Sequence, residues 1–255
     1  MPPSVPPSTA AWARALAARF TRTALDLVFP PTCIPCGAPG DDGLDLCAGC
    51  RAELPAMGVA CLRCARPLPD AVLATPDAPA PLCGPCRRKP PPFTRAYAAF
   101  RYEQPLPTLV GALKYRGRLD TLRLMGLLLA ESLTQAEAEA PAGIVPVPLH
   151  PRRLRERGYN QALKLARIVG RRLDVAVLAN SCARVRATPP QTGLEAKARQ
   201  QNLREAFAAT ADLTGAHLAV LDDVVTTGST VGEVARALLA AGAARVDVWC
   251  LARTP

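Results

Sequence analysis

Past residue 93 the apolar positions fall into short runs separated by segments with helical spacing. Ala96-Tyr97-Ala98-Ala99-Phe100-Arg101-Tyr102 reads as a strand. Leu109, Leu113, Leu122, Leu124, Leu127 and Leu128 predict helices interrupted at Gly117. Residues 144–149 form a β-rich run closed by Pro151, and residues 160–172 a helix. Residues 175–178 and 182–185 are short strand candidates. Residues 217–221 make a strand, 230–241 a helix stopped by Gly242, and 246–251 a last strand. Strands alternating with helices predict an α/β fold with a mostly parallel sheet, in which ligands sit at the carboxyl ends of the strands.

Ahead of that region the texture is different. In residues 1–31 a proline-rich lead precedes Trp12, Leu16, Phe20, Leu25 and Leu27, which can line a short amphipathic helix. A packing helix is the preferred reading over a membrane-surface anchor. Residues 32–89 are rich in Cys, Pro and Gly and short of large apolar side chains, and Pro90-Pro91-Pro92 makes a stiff boundary before a domain spanning 93–255. The 255 residues suffice for one medium domain and a small one, and 49% hydrophobic content suffices for a core. No stretch approaches the roughly 18 apolar residues of a membrane span, and the basic-then-apolar order of a secretory signal is missing.

Eight of the ten cysteines form four Cys-x-x-Cys pairs: Cys33/Cys36, Cys47/Cys50, Cys61/Cys64 and Cys83/Cys86. Each pair has the spacing of a zinc knuckle, and two knuckles make a tetrahedral thiolate site. The segment could hardly bury a core alone, so structural Zn²⁺ would supply its folding energy. Sequential pairing, first with second and third with fourth, is preferred. An interleaved arrangement or a single occupied site stays open, and a disulfide scaffold is the lesser alternative. Cys250 sits in an apolar run and is expected in the core.

The most distinctive stretch is Val220-Leu221-Asp222-Asp223-Val224-Val225-Thr226-Thr227-Gly228-Ser229-Thr230. An apolar strand ends in two acids, followed by a hydroxyl-rich turn with one glycine and then a helix. Unpaired N–H groups and the helix dipole favour an anion at such a helix start, and Thr226, Thr227, Ser229 and Thr230 can donate to phosphate oxygens. The paired acids suit ribose hydroxyls rather than phosphate. Capping alone would explain the hydroxyls but not the double acid.

Charge sharpens this reading. The net charge is +10, and residues 150–205 hold thirteen Lys/Arg against four acids, a balance of +9. That concentration favours a polyanion: pyrophosphate, nucleotide or nucleic acid. Val145-Pro146-Val147-Pro148-Leu149-His150-Pro151-Arg152-Arg153, followed by Arg157-Gly158-Tyr159-Asn160-Gln161, reads as a rigid loop carrying guanidinium forks, with a basic surface turn as the alternative. The polar segment from Arg184 through Gln191, Arg199 and Asn202 has the composition of a mobile lid or of an ordinary linker.

Two acids before Thr-Thr-Gly-Ser-Thr resemble the 5-phosphoribosyl-1-pyrophosphate (PRPP) loop of type I phosphoribosyltransferases. The four cysteine pairs, Leu113-Lys114-Tyr115-Arg116-Gly117, Val-Pro-Val-Pro-Leu, Arg-Gly-Tyr-Asn-Gln, the Gln191/Arg199/Asn202 segment, the loop and the final Leu-Ala-Arg-Thr together resemble the ComF family. These are double-zinc-ribbon, phosphoribosyltransferase-like proteins linked to DNA uptake in competence. The resemblance implies a type I phosphoribosyltransferase-like sheet flanked by helices behind a small zinc-ribbon module, a PRPP ligand with Mg²⁺, and a cytoplasmic setting. It implies that Asp222 and Asp223 hold the ribose, that residues 224–230 (Val224, Val225, Thr226, Thr227, Gly228, Ser229, Thr230) form the phosphate loop, and that Arg152, Arg153 or Arg157 takes the leaving pyrophosphate. Lys114 and Arg116 would close the site, with Arg199 on the lid. The activity implied is phosphoribosyl transfer to an acceptor for which no segment reads as a pocket. The rivals are a non-catalytic PRPP sensor or single-stranded-DNA-binding competence factor, and zinc ribbons that dock a competence helicase or the uptake machinery.

Overall fold

The computed structural model describes residues 30–69, 81–116, 118–185 and 206–255. The chain divides into two compact units, Met1–Glu53 and Leu54–Pro255. The division falls between the second and third cysteine pairs, so the Cys61/Cys64/Cys83/Cys86 set belongs to the same unit as the sheet.

In the first unit the described residues form a knuckle around Cys33 and Cys36. Short backbone bonds close it, Cys33 N to Ala38 O (2.7 Å) and Gly37 N to Cys33 O (2.8 Å). Helix α1 (Ala48–Ala52) follows, capped by the Cys47 sulfur, which accepts from the amide of Cys50.

The larger unit carries α2 (Gly84–Arg88), β1 (Ala96–Arg101), α3 (Leu106–Arg116), α4 (Leu119–Gln135), β2 (Gly143–Pro146), α5 (Pro151–Arg157), α6 (Gln161–Leu173), β3 (Cys182–Arg184), β4 (Phe207–Ala209), β5 (His217–Val225), α7 (Ser229–Ala240) and β6 (Arg245–Arg253). Its main sheet has the order β1-β6-β5-β2 and every pairing is parallel. Parallel strands are covered on their faces, and so β5 and β6 read as near-continuous apolar runs. Helix α4 packs on β1, β6 and α6, helix α6 on β2 and β5, and helix α7 on β5, β6 and the β3–β4 ribbon. Gly126 permits the close α4–α6 approach, since a Cβ there would lie 2.7 Å from the Ile168 side chain. Val145, Val147, Leu218, Val220, Val231, Val234, Val246 and Val248 form the buried centre, and Cys250 is fully buried among them as expected. No helix among the described residues is long and apolar enough to cross a membrane.

Four local features differ from the expectations. The first is the arginine loop after β2, which is helical from Pro151. His150 caps it, its Nδ1 accepting from the Arg152 amide at 3.2 Å, Pro151 supplies the first-turn φ, and Gly158 ends it in the left-handed region at φ 76°. The second is β5, which continues through both acids to Val225, because β6 offers partners as far as Val225↔Arg253. The third is residues 175–178, which make only a bridge, Ile144↔Val177, instead of a strand. The fourth is β4, which has no counterpart in the sequence reading and pairs antiparallel with β3. The helix expected in residues 1–29 lies outside the described residues, as do Gln191, Arg199 and Asn202.

Candidate functional site

The turn between β5 and α7 is built around Gly228, which caps the helix at φ 79°, a conformation that favours glycine. Helix α7 has no side-chain cap and no acid in its first turn. Its first amide is met within the turn itself. The Thr227 hydroxyl accepts from the Ser229 amide (3.3 Å) and lies 2.9 Å from the Ser229 hydroxyl. An oxygen at the position of Thr227 Oγ1 is thus already welcome, and an anionic oxygen would be more so. Asp222, Val224 and residues 225–231 line a small hollow of about 20 Å³ over this turn.

The two acids are not equivalent. Neighbouring strand residues point to opposite faces, and of the pair only Asp222 lines the hollow. Each carboxylate also receives the next backbone amide: Asp222 Oδ1 from Asp223 N (2.9 Å) and Asp223 Oδ1 from Val224 N (2.8 Å). Such bonds fix both side chains beside the strand.

The sequence reading counted Arg253 only within the closing Leu-Ala-Arg-Thr motif and gave it no place in the site. It is 2% exposed on the last residue of β6. Its Nη1 donates to the carbonyls of Val225 (3.2 Å), Thr226 and Thr254 (2.7 Å), while its Nε donates to the carbonyl of Cys64 (3.0 Å). The Thr254 hydroxyl donates to the Thr226 carbonyl as well (3.1 Å). The signal available in the sequence was an arginine closing an otherwise apolar strand.

Strand β2 lies beside β5, with Pro146 opposite Leu221. The segment beyond β2 is held at that strand end by Val147 N to Leu221 O (2.9 Å) and by Asn160, which donates to Val147 O (3.0 Å) and caps α6 through Leu163 N. The three arginines expected to bind pyrophosphate part company. Arg152 pairs with exposed Glu156 at 3.0 Å, and Arg157 reaches Gln161 Oε1 at 3.5 Å. The charge of Arg153 is felt at Arg184, the second basic residue that the sequence reading did not single out as a ligand. Burial, and then the charge of Arg153, lower the pKa of Arg184, whose guanidinium lies 5.5 Å over the Phe207 ring. Two guanidinium charges that disfavour each other would both gain from an anion. Lys114 and Arg116 fall on the last turn of α3, where side chains lie outside the described residues.

The eight paired cysteines gather into two clusters in the sequential order, Cys33/Cys36/Cys47/Cys50 and Cys61/Cys64/Cys83/Cys86. Within each cluster all sulfurs lie within 4.8 Å of one another. Cys36 and Cys47 sulfurs are 3.7 Å apart and Cys64 and Cys83 sulfurs 3.6 Å, against about 3.8 Å for thiolates on a tetrahedral zinc with 2.3 Å bonds. Burial opposes ionisation of Cys33 and Cys61, yet hydrogen bonds from neighbouring backbone and thiols bring both down to about 7. Cys50 is pushed up by its hydrogen bond to Cys36 and by burial, and Cys86 by burial and then Cys64. Four crowded thiols cannot all ionise without a cation among them, so the donor set fits structural zinc. Cys182 and Cys250 stand apart, and burial pushes their thiols up to about 11 and about 12.

A double zinc ribbon domain matches residues 24–87 and a phosphoribosyl transferase domain matches residues 160–255. The DNA utilization protein YhgH of Salmonella typhimurium is 39% identical over 204 residues, which cover 76% of this chain and 90% of the relative. The protein of the same name from Escherichia coli K12 is 40% identical over 176 residues, covering 68% and 78%. Competence protein F of Haemophilus influenzae is 35% identical over 178 residues, covering 67% and 78%.

Proposed function

The chain belongs to the ComF family, and on that premise we propose that its β5–α7 turn binds the phosphoribosyl end of PRPP. The observation that carries this reading is the hollow over the turn, where Asp222 and the hydroxyls of residues 226–230 meet a helix start without a side-chain cap. Thr226, Thr227, Ser229 and Thr230, with the first amides of α7, hold the 5′-phosphate. Asp222 accepts from the ribose hydroxyls, and Asp223, on the other face of the strand, lies outside the hollow. Arg153, with Arg184, meets the pyrophosphate, and Lys114, Arg116 and Arg199 belong to the flanking segments expected to close over it.

Carboxylate oxygens beside a pyrophosphate suit a hard cation, and Mg²⁺ supplies charge neutralisation there when bound. If an acceptor is present, the bond between ribose C1 and pyrophosphate breaks with its electron pair leaving on the pyrophosphate. The acceptor's lone pair then forms the new bond to C1. The chain's part is positioning and electrostatics.

Titration calorimetry of the zinc-loaded protein with Mg-PRPP tests the reading. Binding is expected in the wild type and not in Asp222→Asn/Asp223→Asn. A folded wild type that takes up no PRPP overturns it.

A second reading keeps the same pocket as a sensor for a DNA-handling protein. It is favoured by the exposed guanidiniums of α5, which lie within the basic segment 150–205, and by the relatives' names. It predicts salt-dependent binding of single-stranded DNA with no pyrophosphate release. Action in the cytoplasm beside a competence helicase or the uptake machinery belongs to either reading.

A further inference from the structure

We propose that Arg253 is a positioning residue that couples the Cys61/Cys64/Cys83/Cys86 cluster to the β5–α7 turn, so that metal in the cluster sets the orientation of the turn's amides. The proposal rests on the phosphate-binding reading of that turn.

One guanidinium holds both ends. Nε donates to the carbonyl of Cys64 at 3.0 Å, and Nη1 to the carbonyls of Val225 and Thr226. Peptide units are planar and trans, so a carbonyl fixed on one side sends the following N–H to the other. Among the described residues only Gln104–Pro105 is cis. Pinning the Val225 and Thr226 carbonyls onto Arg253 therefore turns the amides of Thr226 and Thr227 away from it. An anion that approaches the turn from that side meets donors instead of lone pairs.

The other end of the link is a metal knuckle. Cys64 is followed by Ala65 at φ 53°, whose amide bonds Cys61 O at 2.7 Å, so the Cys64 carbonyl is oriented by the same tight turn that presents the two sulfurs. Metal on Cys61 and Cys64 stiffens that turn. The two ends border one cavity of about 200 Å³, with Cys64, Cys83 and Cys86 among its walls on one side and Thr227, Gly228 and Ser229 on the other. A lysine could not replace the arginine, because a point ammonium has no fork to reach both partners.

The test uses the full chain and two readouts: amide hydrogen exchange over residues 224–231 without ligand, and Mg-PRPP calorimetry. Arg253→Lys is expected to keep both zincs, to speed exchange in that peptide and to weaken PRPP by about tenfold, the size of one charge-assisted hydrogen bond. Removing zinc from the wild type by chelation speeds the same exchange, and removing it from Arg253→Lys adds little, because the link is already cut. Unchanged exchange in folded Arg253→Lys, or equal effects of zinc removal with and without Arg253, overturns the proposal. Should the variant fail to fold, zinc removal from the wild type decides alone, and unaltered exchange at 224–231 sinks the coupling. A wild type that shows the exchange coupling but binds no PRPP sinks only the PRPP reading.

Discussion

Asp247 Oδ2 lies 3.0 Å from His217 Nε2, joining the amino-terminal ends of β5 and β6. Arg245 Nη2 reaches the same oxygen at 2.8 Å and Arg245 also bonds Glu139. Asp247 is 1% exposed, and a buried carboxylate is tolerated only with such partners. The nine residues of β5 put this cluster about 25 Å from the β5–α7 turn at strand spacing.

Asp247→Ala removes the acceptor and leaves the partly buried Arg245 with only the exposed Glu139. The expected cost is about 3 kcal/mol in urea unfolding. PRPP affinity of the folded fraction should stay near the wild-type value. A loss of affinity on the same scale would show that the two ends of the sheet are not independent.

Gly228 makes a sharper probe of the turn. A Cβ there meets nothing within 4 Å, so the only penalty is its φ of 79°. Gly228→Ala is expected to cost about 1–2 kcal/mol, and Gly228→Asn less, because Asn tolerates the left-handed region. If the turn relaxes to relieve that strain, calorimetry will show weakened PRPP with little change in the unfolding midpoint. Equal affinity across Gly, Asn and Ala would mean that the left-handed cap does not shape the ligand site.

The two cysteine clusters should differ in what they stabilise. Cys61→Ser acts within Leu54–Pro255, where the knuckle is bonded to β6 through Arg253. It should lower the main thermal transition, by about 2–4 °C for each kcal/mol lost in a domain of this size. Cys33→Ser acts within Met1–Glu53 and should leave that transition in place while removing one zinc from the metal count. A metal assay beside calorimetry separates the outcomes, and equal shifts would contradict the assignment of the knuckles to separate units.

Much of this site was legible because its signals are local. The Asp222-Asp223 pair and the hydroxyl turn are contiguous, and the Cys-x-x-Cys spacing carries its own chemistry, so the loop and the two sequential clusters could be read without a fold. Contacts between distant positions were not legible in this way. Arg253 and Cys64 are 189 residues apart, and nothing in either neighbourhood announces the other. The helix at Pro151 was missed because three prolines in eight residues mask it, although His150, Pro151 and Gly158 are its ordinary start and stop signals. Strand β5 ran past its predicted end because β6 supplied partners that only the sheet could reveal.

Alkaline pH should destabilise the chain through its two isolated thiols. Burial raises Cys182 from 9.0 to about 11 and Cys250 from 9.0 to about 12. The folded state therefore retains protons that the unfolded state releases. The stability they contribute is present below about pH 9 and is lost as pH rises toward 11 and 12. Urea unfolding across that window should show a falling midpoint, with a shallower fall in Cys250→Ala once its own constant cost is subtracted. An identical slope would mean that Cys250 ionises as easily folded as unfolded.

The arginines beyond β2 give the last discrimination. Arg152 is spent on Glu156 at an exposed i,i+4 pair, worth about 0.3–0.5 kcal/mol, so Arg152→Ala should change neither stability nor pyrophosphate affinity appreciably. The proton affinity of Arg184 is lowered by burial and then by the charge of Arg153. An anion at Arg153 would relieve that repulsion, and Arg153→Ala should weaken pyrophosphate by about tenfold, one charge-assisted contact, while easing the repulsion in the ligand-free protein. Stability should therefore hold steady or rise slightly as affinity falls. That opposite movement is the signature of a charge kept for a ligand rather than for the fold, and parallel losses in both quantities would assign Arg153 to the fold instead.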